Sequence, residues 1–205
     1  VLLCVLVTYP HFFPFLITFS QIHLHLYRIH LLMKKIVFTF LLLSFISISY
    51  AQSPLDLRQK AMEYFETGDN ALAIEYAEKA IATAESGFGK DHQEYLLSLN
   101  DLATICMWTG DYQRAELLFT EALIITEKIS GKDHPRYAAS LRNLGELYYE
   151  TGNYDKSASL MTEVLEILKK DPGRESIEYA NSLDDLASVY DMTGNYAKAG
   201  PLYTE

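Results

Sequence analysis

The first 51 residues contain no Asp or Glu, and this gap splits the chain in two. Those residues carry three basic side chains, whereas residues 52–205 hold all 27 acids and 14 bases, a formal charge of −13. So acidic an array argues against nucleic acid as a partner, because such binding rests on Lys and Arg neutralising phosphates. Cysteine is nearly absent. Cys4 lies in the leader and Cys106 beyond it, which excludes a disulfide framework. There is no Gly-rich phosphate loop, no His-Glu-x-x-His helix, and no Ser or Cys in a nucleophile turn. We therefore expect no catalytic residues, no metal, no cofactor and no small-molecule substrate. His92 and His134 recur at one loop position, and His11, His23, His25 and His30 crowd the leader. Neither set has the mixed ligands that metal sites usually use.

The acid-free leader has its own organisation. Met33-Lys34-Lys35, an apolar run from Ile36 to Ile48, and then Ser49-Tyr50-Ala51 form the three parts of a secretory signal peptide over 33–51, with cleavage expected between Ala51 and Gln52. The run is shorter than the roughly 20 residues a spanning helix needs, so membrane contact is expected only if the leader stays uncleaved. Residues 1–32 read as an upstream translated extension without a domain. The array is then expected outside the cytoplasm, periplasmic or secreted.

What the remainder does have is periodicity. Thr-Gly returns at Gly68, Gly110, Gly152 and Gly194, always 42 residues apart. Gly89-Lys90-Asp91-His92 recurs as Gly131-Lys132-Asp133-His134 and decays to Gly173-Arg174-Glu175-Ser176. Leu102, Leu144 and Leu186 share a column, as do Tyr64, Cys106, Tyr148 and Tyr190. A period of this length means that one unit cannot bury its own apolar face and must stack on its neighbours.

Each period reads as two amphipathic helices. Leu99, Leu102, Ala103 and Cys106 follow the i, i+3, i+4, i+7 spacing of a buried stripe, as do Leu141, Leu144, Gly145 and Tyr148. The second helices carry Ala115, Leu118, Phe119, Ala122, Leu123 and Thr126, then Ser157, Leu160, Met161, Val164, Leu165 and Leu168. The glycine of Thr-Gly suits a helix C-terminus, and the Asp or Asn after it opens the next helix. Asp91 and Asp133 are expected to cap the following helices, with Glu94 completing a capping box. Helix pairs are expected at about 54–86, 92–129, 134–170 and 176–205. Glu205 aligns with Glu121 and Glu163 inside a second helix, so the fourth pair is expected to be truncated.

Leu141, Leu144, Gly145, Tyr148, Gly152-Asn153-Tyr154, Ser157, Met161 and Val164 follow the order of the tetratricopeptide repeats, and the chain resembles that family over residues 54–205. The 42-residue period, with His134-Pro135 and Ser140-Leu141-Arg142-Asn143-Leu144, is similar to the kinesin-light-chain subtype. The resemblance implies an all-α, right-handed superhelical solenoid whose first helices line a concave groove. It assigns to that groove Arg58, Phe65, Asn100, Asp101, Met107, Trp108, Arg142, Asn143, Glu146, Tyr149, Asp184 and Asp185.

Trp108 is the lone tryptophan and stands in a column with Glu66, Glu150 and Met192, so packing does not demand it. Trp108, Met107 and Tyr149 are expected to form an adhesive patch, with the acids selecting polar or basic neighbours. Arg58, Asn100, Arg142 and Asn143 only partly match the family's carboxylate clamp. The expected role is a non-catalytic scaffold for a protein or peptide ligand. The alternatives are a regulatory arm of a caspase-like CHAT protease or a signalling kinase lying beyond residue 205, and self-association.

Overall fold

The computed structural model describes residues 26–39 and 52–205. The chain divides into two units, Val1–Ala51 and Gln52–Glu205. In the first, residues 26–39 are helical. No described helix is long and apolar enough to cross a membrane. Ala51, most of the apolar run and residues 1–25 lie outside the described residues.

In the second unit the described residues form four helix pairs: α1 (Pro54–Glu66) with α2 (Asn70–Phe88), α3 (Gln93–Trp108) with α4 (Tyr112–Ser130), α5 (Pro135–Glu150) with α6 (Tyr154–Leu168), and α7 (Ile177–Met192) with α8 (Tyr196–Leu202). Each helix packs on the next, and α1 also meets α3. The architecture is an all-α solenoid with no strand among the described residues.

The turn within each pair explains why Thr-Gly is the most regular signal. At the end of α3, the Thr109 hydroxyl donates to the carbonyls of Ile105 and Cys106. Gly110 takes φ +87°, which lets its own N–H reach the Met107 carbonyl and the Asp111 N–H reach the Cys106 carbonyl at 2.8 Å. The reversed pattern satisfies carbonyls that a helix end would otherwise leave bare. Asp111 then turns its side chain to accept from the Arg114 N–H at 3.2 Å, capping α4. Asp69 and Asn153 cap α2 and α6 in the same way, whereas Asn195 makes no side-chain cap bond.

The turns between pairs correct one expectation. Asp91 and Asp133 do not cap α3 and α5, and Glu94 closes no capping box. The caps are His92 and His134, whose Nδ1 atoms accept from the N–H groups of Glu94 and Arg136 at 3.2 and 3.0 Å. The two aspartates reach instead to Lys128 and Lys170 on the following pair. Glycine is required here too: Gly89 and Gly131 adopt φ +86° and +83° with ψ near 165°, a region closed to other residues. A capping box does occur at α1, between Ser53 and Asp56. In the third copy Pro172 replaces Ser130, and α6 gives way to a π-helical turn over Lys169–Gly173 in which Asp171 is extended. The residue before a proline is disfavoured in the helical region.

Small side chains set the distance between partner helices. Ala61, Ala103, Gly145 and Ala187 form one buried column, and Ala73, Ala115, Ser157 and Ala199 another. A Cβ on Gly145 would meet the Met161 methyl at 2.9 Å, so α6 lies close over that position. Larger residues of the expected stripes, including Leu99, Leu102, Leu141, Phe119 and Val164, are buried between the helices. Ser98, Ser140 and Ser182 are also buried, and each donates to the carbonyl four residues earlier.

Two substitutions test this packing. Ser157 Oγ is buried and has no hydrogen-bond partner, and every other copy has alanine there. Ser157→Ala should raise the melting temperature, stabilising by about 1 kcal/mol as an unsatisfied hydroxyl is removed; a lower melting temperature contradicts the assignment. Gly110→Ala should destabilise by about 1–2 kcal/mol through the left-handed backbone alone, since a Cβ there meets nothing within 4 Å. Unchanged chemical denaturation would show that the turn is not so constrained.

Candidate partner-binding wall

The first helices α1, α3, α5 and α7 repeat the same columns every 42 residues, which brings most of the expected groove residues onto one wall. A ladder crosses it. Arg58 Nε on α1 donates to Asp101 Oδ2 on α3 at 2.5 Å, Asn143 on α5 donates to Asn100 on α3 at 3.4 Å, and Arg142 Nε donates to Asp185 Oδ2 on α7 at 2.6 Å. Every rung spans one period plus one residue, so each joins one column to the next column of the neighbouring helix. Arg58 also approaches Glu94 at 3.8 Å. The two arginines that a carboxylate clamp would use are therefore occupied within the array.

Between α5 and α7 the wall opens into a cleft of about 220 Å³ lined by Arg142, Glu146, Tyr149, Glu150, Asp185 and Ser188, with Met161 beneath. Asp184 is exposed on α7 and does not line the cleft. Three carboxylates thus line the cleft with one guanidinium, which Asp185 already pairs. Glu146 stays exposed to solvent, but partial desolvation by the surrounding protein atoms pushes its carboxyl pKa up; Arg142 opposes the shift, and Asp185 and Glu150 add repulsion. Tyr149 is half-buried and meets Tyr154 edge-on, with ring centroids 5.7 Å apart.

The expected adhesive patch is only partly assembled. Met107 is 3% exposed and belongs to the core cluster that includes Leu144, Leu147 and half-buried Phe65. It is not a surface residue, because α3 is flanked on both sides and its edge column is covered. Trp108, at the end of α3, is 56% exposed. A second apolar feature escaped the periodic reading: Leu117 and Ile124, one above the other on α4, are 69% and 62% exposed where other pairs carry Glu75 and Ser159 or Ala82 and Glu166. Comparing those columns for residues that depart from the repeat would have found them. The same comparison would have found the ladder, since Arg58/Asp101 and Arg142/Asp185 are opposite charges at one spacing.

Cys106 is fully buried, and burial pushes its thiol pKa up, away from the thiolate a nucleophile needs. The described residues contain no group of three or more metal-ligating side chains. Tyr148, at the back of the wall, donates to Glu116 at 2.6 Å, and that bond, with burial, pushes its pKa up to about 12.

Residues 56–123, 96–170 and 149–205 each match the tetratricopeptide repeat. The chain belongs to the tetratricopeptide repeat family. The signature residues Gly68, Gly110, Gly152 and Gly194, with Leu102, Leu144, Leu186, Tyr148 and Tyr190, lie within the matched stretch. No curated protein matches the chain. Among solved structures it is similar to a kinesin light chain from Podosopora anserina with nearly identical repeats: 25% identity, 71% of this chain and 69% of that one, TM-score 0.63. BtubC (BKLC) from P. vanneervenii shares the fold at 24% identity and TM-score 0.65, over 76% of this chain. The tetratricopeptide chain spans 63% of BtubC's length. A Rap protein in complex with Competence and Sporulation Factor shares the fold at 16% identity and TM-score 0.63, over 74% of this chain and 40% of that one.

The ladder has a measurable asymmetry. The side chains of Arg58 and Asp101 are 16% and 22% exposed, those of Arg142 and Asp185 41% and 31%. A double-mutant cycle on Arg58/Asp101 should give a coupling of about 1 kcal/mol, and one on Arg142/Asp185 about half that or less. The reverse order would mean that solvent exposure does not set the strength of the rungs.

Proposed function

We propose that the array is a protein-interaction scaffold that takes an extended peptide or protein segment along the first-helix wall, and that its α5–α7 half selects a segment rich in lysine or arginine. The observation that carries this reading is the cleft where Glu146, Glu150 and Asp185 outnumber Arg142. Charge complementarity of this kind raises association rates and excludes acidic competitors. The Rap complex supports the choice of a bound partner as the use of such a fold. Trp108 supplies an exposed aromatic anchor on the same row of helices, consistent with the enrichment of tryptophan at binding hot spots.

The wall's charge disfavours nucleic acid. A regulatory arm of a larger enzyme would use the same wall and differ only in what it reports to. Export before function is part of the same proposal and rests on the composition of residues 33–51; sequencing the mature N-terminus tests it, with Gln52 as the expected first residue.

Affinity for a lysine-rich peptide should fall as salt rises, and should fall again on acidification as Glu146 takes up its proton. The sign follows from a pKa raised in the free wall: a bound cation favours the carboxylate, so binding is strongest above that pKa and is lost below it. Trp108→Ala should weaken a partner by about tenfold or more without lowering the melting temperature. Unchanged affinity, or a collapsed melting curve, would remove Trp108 from the site.

A further inference from the structure

A helix start leaves four N–H groups without intrahelical partners, and a side-chain acceptor at the N-cap is the usual remedy. Along the wall the remedy changes with position. α1 and α7 are capped by hydroxyls, Ser53 accepting from Asp56 N–H and Ser176 from Tyr179 N–H, both at 3.1 Å. The central helices α3 and α5 are capped by the imidazoles of His92 and His134. A hydroxyl oxygen accepts at any ordinary pH, but an imidazole nitrogen accepts only while it carries no proton. Both histidines are exposed, and an imidazolium at either position would also oppose the positive end of the helix dipole.

Most of the surrounding carboxylates are engaged with cations. Near His92, Asp91 is held by Lys128 of α4, Glu94 approaches Arg58 of α1, and Lys90 of the same turn pairs with Glu85 of α2. The Phe88 ring of α2 stacks on the imidazole at 4.6 Å. Near His134, Asp133 is held by Lys170 from the turn after α6, Lys132 pairs with Glu127 of α4, and Arg136 occupies the first turn of α5. Apart from Glu94 Oε2, which is buried without a hydrogen-bond partner and lies 3.8 Å from an Arg58 already tied to Asp101, every carboxylate next to the two caps is paired with a cation.

We propose that His92 and His134 make the two central wall helices acid-sensitive: protonating both imidazoles uncaps α3 and α5 while Ser53 and Ser176 keep the outer helices capped. The device loosens the middle of the wall and leaves its ends in place. It does not depend on what the wall binds.

The chain provides its own control, since Ser176 occupies the same column. Thermal melts of the full chain at about pH 7.5 and about pH 5.5, on either side of the ordinary histidine range, are compared with those of the His92→Ser/His134→Ser variant. The wild type should lose about 4–8 °C more than the variant on acidification. Equal losses overturn the proposal. Should the variant not fold, imidazole ¹⁵N shifts of the wild type decide: both rings must be Nε2–H tautomers at neutral pH, and the Glu94 and Arg136 amide signals must move together with the imidazole titration. An Nδ1–H tautomer, or amides that ignore the titration, also overturns it.

Discussion

No helix pair in this array closes its own core, and everything else follows from that constraint. A pair of amphipathic helices has an apolar face on each side of its contact plane, so α3 and α4 are stable only between α1–α2 and α5–α6. Stacking without insertion holds the 42-residue register, and the register repeats each column at the same height on successive helices. The small columns of Ala61, Ala103, Gly145 and Ala187 and of Ala73, Ala115, Ser157 and Ala199 then set how closely partner helices approach. Because spacing and height are both fixed, a side chain on one first helix always finds the same position on the next. The ladder of Arg58–Asp101, Asn143–Asn100 and Arg142–Asp185 is the visible result.

That ladder changes what the wall can recognise. Arginines facing an open groove would attract acidic groups; tied to Asp101 and Asp185, they stiffen the wall and leave the remaining carboxylates to set its sign. The middle rung is an amide pair at 3.4 Å, long for a hydrogen bond, so the wall is braced most firmly at α1–α3 and at α5–α7. The acidic cleft lies in the second of these braced segments. A braced surface loses little entropy on binding, which is where preorganised scaffolds gain affinity.

Much of this was legible in the residues before any coordinates. Thr-Gly-Asp/Asn is read correctly because one turn uses all three: a hydroxyl for bare carbonyls, a positive φ, and a cap for the next helix. Buried stripes such as Leu99, Leu102, Ala103 and Cys106 are read correctly because a period of 3.6 residues has one inward face. Met107 was misread because periodicity on a single helix does not show that neighbours cover both flanks. Asp91 and Asp133 were misread as caps because propensity ranks aspartate far above histidine at an N-cap, whereas in this turn the residue next to the helix is His92 or His134. The aspartates' lysine partners lie 37 residues away, beyond the reach of local rules.

The central claim is that recognition takes place on the first-helix wall, over the acidic cleft of α5 and α7. A spin-labelled oligolysine peptide added to the ¹⁵N-labelled protein tests it most directly, because paramagnetic broadening reports where the peptide rests. The account predicts early loss of the amide signals of Glu146, Glu150, Asp185 and Ser188, reversed by salt. Broadening centred on Leu117 and Ile124 of α4, or none at any region of the array, would contradict it.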